Sequence, residues 1–134
     1  MPRAQLSLPA VEAALGVVLV LGVAMGFALP VHQPTGREAQ LDAYARDTTT
    51  VLAGEPPRHG GTSRLAEVVS SPAAFQRERK ALDRRVERIL PDNLLFRVVT
   101  PHGTVGFRRP DGVALGVADV ATASGTVRIE VWYA

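Results

Sequence analysis

The sequence predicts an α+β fold in which an N-terminal transmembrane helix precedes amphipathic helices packed on a small antiparallel sheet of about four strands. Three observations predict it. A long uncharged segment opens the chain, apolar residues at helical spacing follow, and apolar and polar residues alternate in the last third. Helices that precede strands in this way favour an α+β domain whose helices cover one sheet face. The expected boundaries are 1–31 for the leader and transmembrane helix and 32–134 for the outer domain.

Residues 13–31 form an uncharged run at the start of the chain. As a helix rising about 1.5 Å per residue, the run would span about 28 Å, which matches a bilayer core. Pro9 suits the first turn of such a helix. Arg3 and the α-amino group precede the run, so the positive-inside bias places the N-terminus in the cytoplasm and the outer domain outside. The alternative is a cleaved signal peptide with its site among residues 24–28, but the run exceeds the usual apolar length of about 7–15 residues.

Three residues of this helix bear on association with other helices. Glu12 would place a carboxylate in the apolar region, which costs several kcal/mol unless it reaches the headgroups or finds a positive partner. A headgroup position near the positive end of the helix is one interpretation. Gly22 and Gly26 form a GxxxG pattern, which allows a second helix to approach closely.

Three further helices are predicted in the outer domain. Thr35 and Glu38 have the form of a capping box for a helix over about 36–53, whose apolar stripe comprises Leu41, Tyr44, Thr48, Val51 and Leu52. The segment 55–62 (EPPRHGGT) consists of turn-forming residues and is expected to be an exposed loop. A short helix over 64–69 is expected to follow it.

A longer helix over about 72–90 begins with Ser71 as N-cap and Pro72 in the first turn. Its apolar residues fall within one arc: Phe75, Leu82, Val86 and Ile89. A basic row lies opposite that arc and consists of Arg77, Lys80, Arg84 and Arg88. The basic row is interpreted either as a solvated face or as a partner surface. The interleaved acids and the lack of aromatic residues argue against nucleic acid.

Strands are predicted from about residue 94 to residue 133. The segments 100–103 and 109–112 each place proline second and glycine last, as a type I turn prefers. Val113, Leu115 and Val117 alternate with small residues. Apolar residues at 127, 129, 131 and 133 alternate with Arg128, Glu130 and Trp132, which predicts antiparallel strands buried on one face.

Composition and motif spacing indicate no catalytic chemistry. The chain has no cysteine, so disulfides, thiolate metal sites and cysteine nucleophiles are excluded. Its net charge of +2 does not demand a polyanionic partner. His32, His59 and His102 lie far apart in Pro- and Gly-rich segments and match no metal or nucleophile motif. We expect neither an enzyme nor a cofactor, metal or small-molecule substrate.

The opening residues RAQLSLPAVEAALG resemble the class III signal of archaeal, in particular haloarchaeal, type IV pilin-like membrane proteins. The resemblance covers about twenty-five residues of the chain. It implies that a prepilin peptidase cuts after Arg3-Ala4, before Gln5, and leaves the apolar helix on the mature protein. It also implies that Glu12 pairs with the freed α-amino group of Gln5 on a neighbouring subunit.

The expected function is therefore that of a membrane-anchored, pilin-like structural or accessory subunit of a type IV pilus-like cell-surface assembly. Its expected partners are membrane lipid and itself or other pilin-like subunits. One alternative is a single-pass membrane protein that never polymerises and whose outer domain binds another envelope component. A second alternative is a secreted, soluble binding domain.

Overall fold

The computed structural model describes residues 8–28 and 36–134. The chain divides into two compact units, Met1–Gln33 and Pro34–Ala134. The first unit contains α1 (Leu8–Ala28), a helix of 21 residues. Pro9 lies in its first turn, where the missing N–H removes no helical hydrogen bond.

The second unit contains three helices and four strands within residues 36–134. In chain order these are α2 (Gly36–Gly54), α3 (Arg64–Val68), α4 (Pro72–Ile89), β1 (Leu94–Thr100), β2 (Gly103–Gly106), β3 (Gly116–Thr122) and β4 (Gly125–Tyr133). The strands form one antiparallel sheet in the order β2-β1-β4-β3. The predicted α+β class and the small antiparallel sheet are thus confirmed.

Local sequence explains the limits of α4. The Ser71 side chain accepts a hydrogen bond from the Ala74 N–H at 3.0 Å, and Pro72 occupies the first turn. The helix ends where Leu90 turns extended (φ −85°, ψ 148°), because proline at position 91 disfavours helical geometry in the residue before it. The predicted cap is therefore confirmed, and the helix ends at Ile89, one residue before the expected end at about residue 90.

The buried stripe of α2 differs from the expected one. It consists of Leu41, Ala45, Thr48 and Leu52, whereas Val51 is 40% exposed and Tyr44 is partly buried. The spacing of four, three and four residues follows the period of 3.6 more closely than the predicted set. Thr48 is fully buried because its hydroxyl donates to the Tyr44 carbonyl at 2.8 Å, which satisfies it within the helix. The expected cap residue Thr35 lies outside the described residues.

The helices cover one face of the sheet. Helix α2 packs on β3 and β4, α4 packs on β2, and α3 contacts both α2 and α4. Their apolar stripes meet the inward residues of the strands, among them Phe96, Val98 and Ile129, in one core. Helix α2 crosses β3 very closely at Gly116, and the Asp42 carboxylate accepts a hydrogen bond from the Val117 N–H at 3.0 Å.

The other sheet face is partly covered, which corrects one prediction. Glu130 and Trp132 were expected on a solvent face but are 6% and 1% exposed. The connection from β2 to β3 crosses this face, since Arg109 pairs with Glu130 at 3.2 Å. Val113 and Leu115 belong to that connection rather than to a strand, because β3 begins only at Gly116.

Candidate functional site

Helix α1 is long and apolar enough to cross a membrane. Its segment Leu8–Met25 has a mean hydropathy of 2.2, and none of that segment is buried within the structure. A helix of 21 residues is about 32 Å long at 1.5 Å per residue. Apolar side chains lie exposed all around it, so no single face distinguishes a protein-facing side from a solvent-facing side. A helix that is apolar on every side is typical of a membrane span, of a core helix or of a signal sequence.

The residues predicted to contact other helices lie at two positions along α1, one near its start and two in its second half. Glu12 is exposed about one turn from the helix start. Gly22 and Gly26 both lie within the helix and, at a separation of four residues, share one face. A side chain added at Gly22 would meet no atom within 4 Å. The predicted processing residues Arg3, Ala4 and Gln5 lie outside the described residues.

The basic row lies on the exposed side of α4. Arg77, Lys80, Arg84 and Arg88 are all exposed, and none forms an ion pair with a described residue. The four residues of the basic row differ in what they lie next to. Arg84 and Arg88 line a groove between α4, α3 and the end of α2, whereas Arg77 and Lys80 do not.

That groove has a volume of about 300 Å³ and was not anticipated. Its polar lining is Glu55, Arg58, Arg64, Arg84, Arg85 and Arg88, and its apolar lining is Leu52, Leu65, Val68, Ala81 and Leu82. The five arginines come from the loop after α2, from α3 and from α4. Their convergence depends on how these three segments pack, so helical spacing along α4 alone revealed just two of them.

Glu67 anchors the predicted loop 55–62 to α3. Its carboxylate accepts the backbone N–H groups of Arg58 and His59 at 2.8 and 2.9 Å, and it lies 2.7 Å from His59 Nδ1 and 3.1 Å from the Arg64 guanidinium. These contacts lower the pKa of the Glu67 carboxyl to about 2, and the Arg58 N–H has the largest effect. The Arg64 N–H also donates to the Glu55 carbonyl at 2.8 Å, which closes the loop. The loop is exposed, as predicted, and fixed at several points.

The histidines do not converge in the described part of the chain. His59 pairs with Glu67 but is 80% exposed and lies outside the groove lining. His102 is half-buried within the β1–β2 turn, and His32 lies outside the described residues. Within residues 8–28 and 36–134, no group of three or more His, Asp or Glu side chains is placed to hold a metal ion.

Comparison with known proteins gives one match. A family model described as "Family of unknown function (DUF7262)" matches residues 2–133, which is nearly the whole chain. Neither the curated proteins nor the solved structures include a significant match.

Proposed function

The chain belongs to DUF7262, a family of unknown function, and we propose that it is a membrane-anchored, pilin-like structural or accessory subunit of a type IV pilus-like cell-surface assembly. The observation that carries the proposal is α1, whose apolar side chains are exposed on every side. In the membrane, lipid acyl chains would surround such a helix and keep its apolar side chains out of water. In a filament, the helices of neighbouring subunits would do the same. The resemblance of residues 3–16 to pilin-like signals favours the filament.

The mechanism is mechanical rather than catalytic. The helix holds the subunit in the bilayer until assembly, with its N-terminus cytoplasmic and the unit Pro34–Ala134 extracellular. During assembly, α1 would leave the lipid and pack among related helices, so that its apolar surface stays out of water. Burial of apolar surface is worth about 25 cal/mol per Å². The folded unit would then form the outer surface of the assembly.

Glycines on one face of α1 give the proposal a specific contact. Gly22 and Gly26 let a neighbouring helix approach to backbone contact, where dispersion and weak hydrogen bonds accumulate. Glu12, about one turn from the helix start, would meet the α-amino group of a neighbouring Gln5. A charge pair of this kind lowers the cost of holding a carboxylate near the apolar region.

The mature N-terminus tests the processing step. We expect mass spectrometry of the protein purified from membranes of its native host to show a chain that begins at Gln5. A chain that retains Met1 or Pro2 would favour the non-polymerising single-pass protein. A chain that begins near Phe27 or Leu29 would favour the secreted domain and contradict the proposal.

A matched pair of variants tests association through α1. We expect Gly22→Leu to reduce crosslinking between subunits in the membrane several-fold. Gly16→Leu is the control, because Gly16 is equally open and lies about a third of a turn away from the Gly22 face. Equal crosslinking in the two variants and in the parent protein would exclude the glycine face as a contact.

A further inference from the structure

We infer that the arginine-lined groove between α2, α3 and α4 is a binding site for an organic phosphate, a phosphate group that carries a small carbon-containing part. All its lining residues belong to the unit Pro34–Ala134. The inference therefore does not depend on what α1 does.

The charges around the groove are unbalanced. Among its described lining residues are five guanidinium groups and one carboxylate, Glu55. Arg85 pairs with Glu55, and Arg64 is held by Glu67 and Glu78 at 3.1 and 2.6 Å. The other three arginines, Arg58, Arg84 and Arg88, form no ion pair with any described residue. Three unpaired guanidinium groups facing one concave space create a local positive potential that an anion would neutralise.

The backbone segments that carry the unpaired arginines are fixed by local structure. Arg84 and Arg88 are one turn apart on α4, and therefore project from the same side of that helix. Arg58 belongs to the loop that Glu67 anchors through the Arg58 N–H at 2.8 Å. Neither element has to reorganise before an anion binds, which lowers the cost of binding.

The arrangement of donors favours phosphate over carboxylate. Guanidinium groups bind both anions through paired N–H donors. A carboxylate offers two oxygens in one plane, whereas a phosphate presents its oxygens in a tetrahedral arrangement, with three terminal oxygens in a monoester and two in a diester. The free arginines come from two separate segments, the loop after α2 and helix α4, so a tetrahedral anion can accept from both.

The floor of the groove indicates that the phosphate carries an organic part. Leu52, Leu65, Val68 and Leu82 line it and are each at most 5% exposed. A volume of about 300 Å³ is roughly ten times the share of one water molecule in the liquid, so it exceeds what a bare anion needs. A glycerol phosphate group has the required chemistry, either as a lipid headgroup or as a soluble or polymer-linked phosphate.

To test the inference, each probe is titrated into the full chain in maltoside micelles at 0.15 M salt. Native mass spectrometry measures how much probe is bound. The three probes are glycerol 1-phosphate, short-chain phosphatidylglycerol and short-chain phosphatidylcholine. We expect saturable binding of at least one of the first two, and weaker binding of phosphatidylcholine. Binding of glycerol phosphate indicates a soluble or polymer source, and binding of phosphatidylglycerol alone indicates a lipid headgroup.

Two double variants locate the site. We expect Arg84→Gln with Arg88→Gln to weaken binding at least about tenfold, since charge-assisted hydrogen bonds are lost. Arg77→Gln with Lys80→Gln removes the same charge from the same exposed side of α4 but leaves the groove lining intact. We expect that control to change binding less than about twofold, because neither side chain lines the groove and so neither can donate a hydrogen bond to an anion bound there.

For a third variant we expect the opposite effect, which is tighter binding of the phosphate probes. Glu55→Gln removes the carboxylate from the described groove lining and releases Arg85, so binding should tighten about threefold or more. Absence of binding for both phosphate probes would overturn the inference. Equal losses in the two double variants would also overturn it, because they would indicate general attraction to a basic surface.

Discussion

Replacement of Gly116 by alanine should destabilise the folded unit strongly, because α2 passes directly over this residue. A methyl group at position 116 would lie 2.1 Å from the Leu41 carbonyl carbon and 2.6 Å from the Asp42 nitrogen. These atoms belong to the helix backbone, so no side-chain rotation can relieve the overlap. Restoring an ordinary contact of about 3.4 Å requires α2 and β3 to separate by about 1.3 Å.

Two effects determine how much Gly116→Ala lowers the free energy of unfolding. Overpacking of a close-packed core costs about 1–3 kcal/mol, and a backbone contact lies at the upper end of that range. The same displacement would stretch the 3.0 Å hydrogen bond from the Val117 N–H to the Asp42 carboxylate, and a hydrogen bond to a charged group contributes about 1.5–3 kcal/mol. We therefore expect Gly116→Ala to lower the free energy of unfolding by about 3–5 kcal/mol.

Urea denaturation of the full chain in maltoside micelles measures this loss. Trp132 is the single tryptophan of the sequence and is 1% exposed, so its fluorescence reports unfolding of the sheet. Gly54→Ala is the control, because a side chain at this last residue of α2 would meet no atom within 4 Å. We expect the control to shift stability by at most about 1 kcal/mol. A loss below about 1 kcal/mol for Gly116→Ala would refute the close crossing of α2 over β3.

Three further predictions concern α1, the loop 55–62 and the cap of α4. Val18→Arg places a charge near the middle of α1 at a cost of about 3 kcal/mol, so carbonate extraction should release a larger fraction of this variant than of Val18→Leu. Glu67 is ionised in the folded state down to about pH 2, below its ordinary pKa of 4.5, so it stabilises the fold above pH 4.5 and this contribution is lost as the pH falls toward 2. The stability difference between the parent protein and Glu67→Gln should therefore shrink over that interval in acid denaturation. Ser71→Ala should cost about 1 kcal/mol in urea denaturation through loss of the α4 cap, and an unchanged midpoint would contradict the observed cap.

Much of the fold could be predicted because local chemistry determines it. Ser71-Pro72 sets the start of α4 through hydrogen bonding and a fixed φ, independently of the rest of the chain. Alternation correctly placed Val127, Ile129 and Val131 on the core face of β4. Alternation failed for Glu130, because Arg109 of the β2–β3 connection reaches across the sheet to pair with it, and it failed for Trp132, which is also buried. Alternation along a strand predicts which residues face the helices. It does not predict whether another segment of the chain crosses the opposite face of the sheet.

The candidate groove shows where prediction from sequence stops. Helical spacing placed Arg84 and Arg88 together, but the role of Arg58 depends on the fold of a separate loop. Glu67 anchors that loop with its carboxylate, although neither helical spacing nor a known motif includes it. The signal that could have found it is the acidic residue within one turn of a short helix that follows a Gly-rich loop. Such a carboxylate is well placed to accept free loop amides.

The order of the strands has a consequence for how the unit Pro34–Ala134 folds. β4 lies between β1 and β3 and pairs with both, although it is the last strand in chain order. When the polypeptide emerges from N- to C-terminus, β1 and β2 can pair as soon as both have emerged. β3 has no strand to pair with until β4 has also emerged. Vectorial synthesis or export therefore leaves an incomplete sheet until the final strand arrives, and this interval is when chaperones or neighbouring copies have access to it.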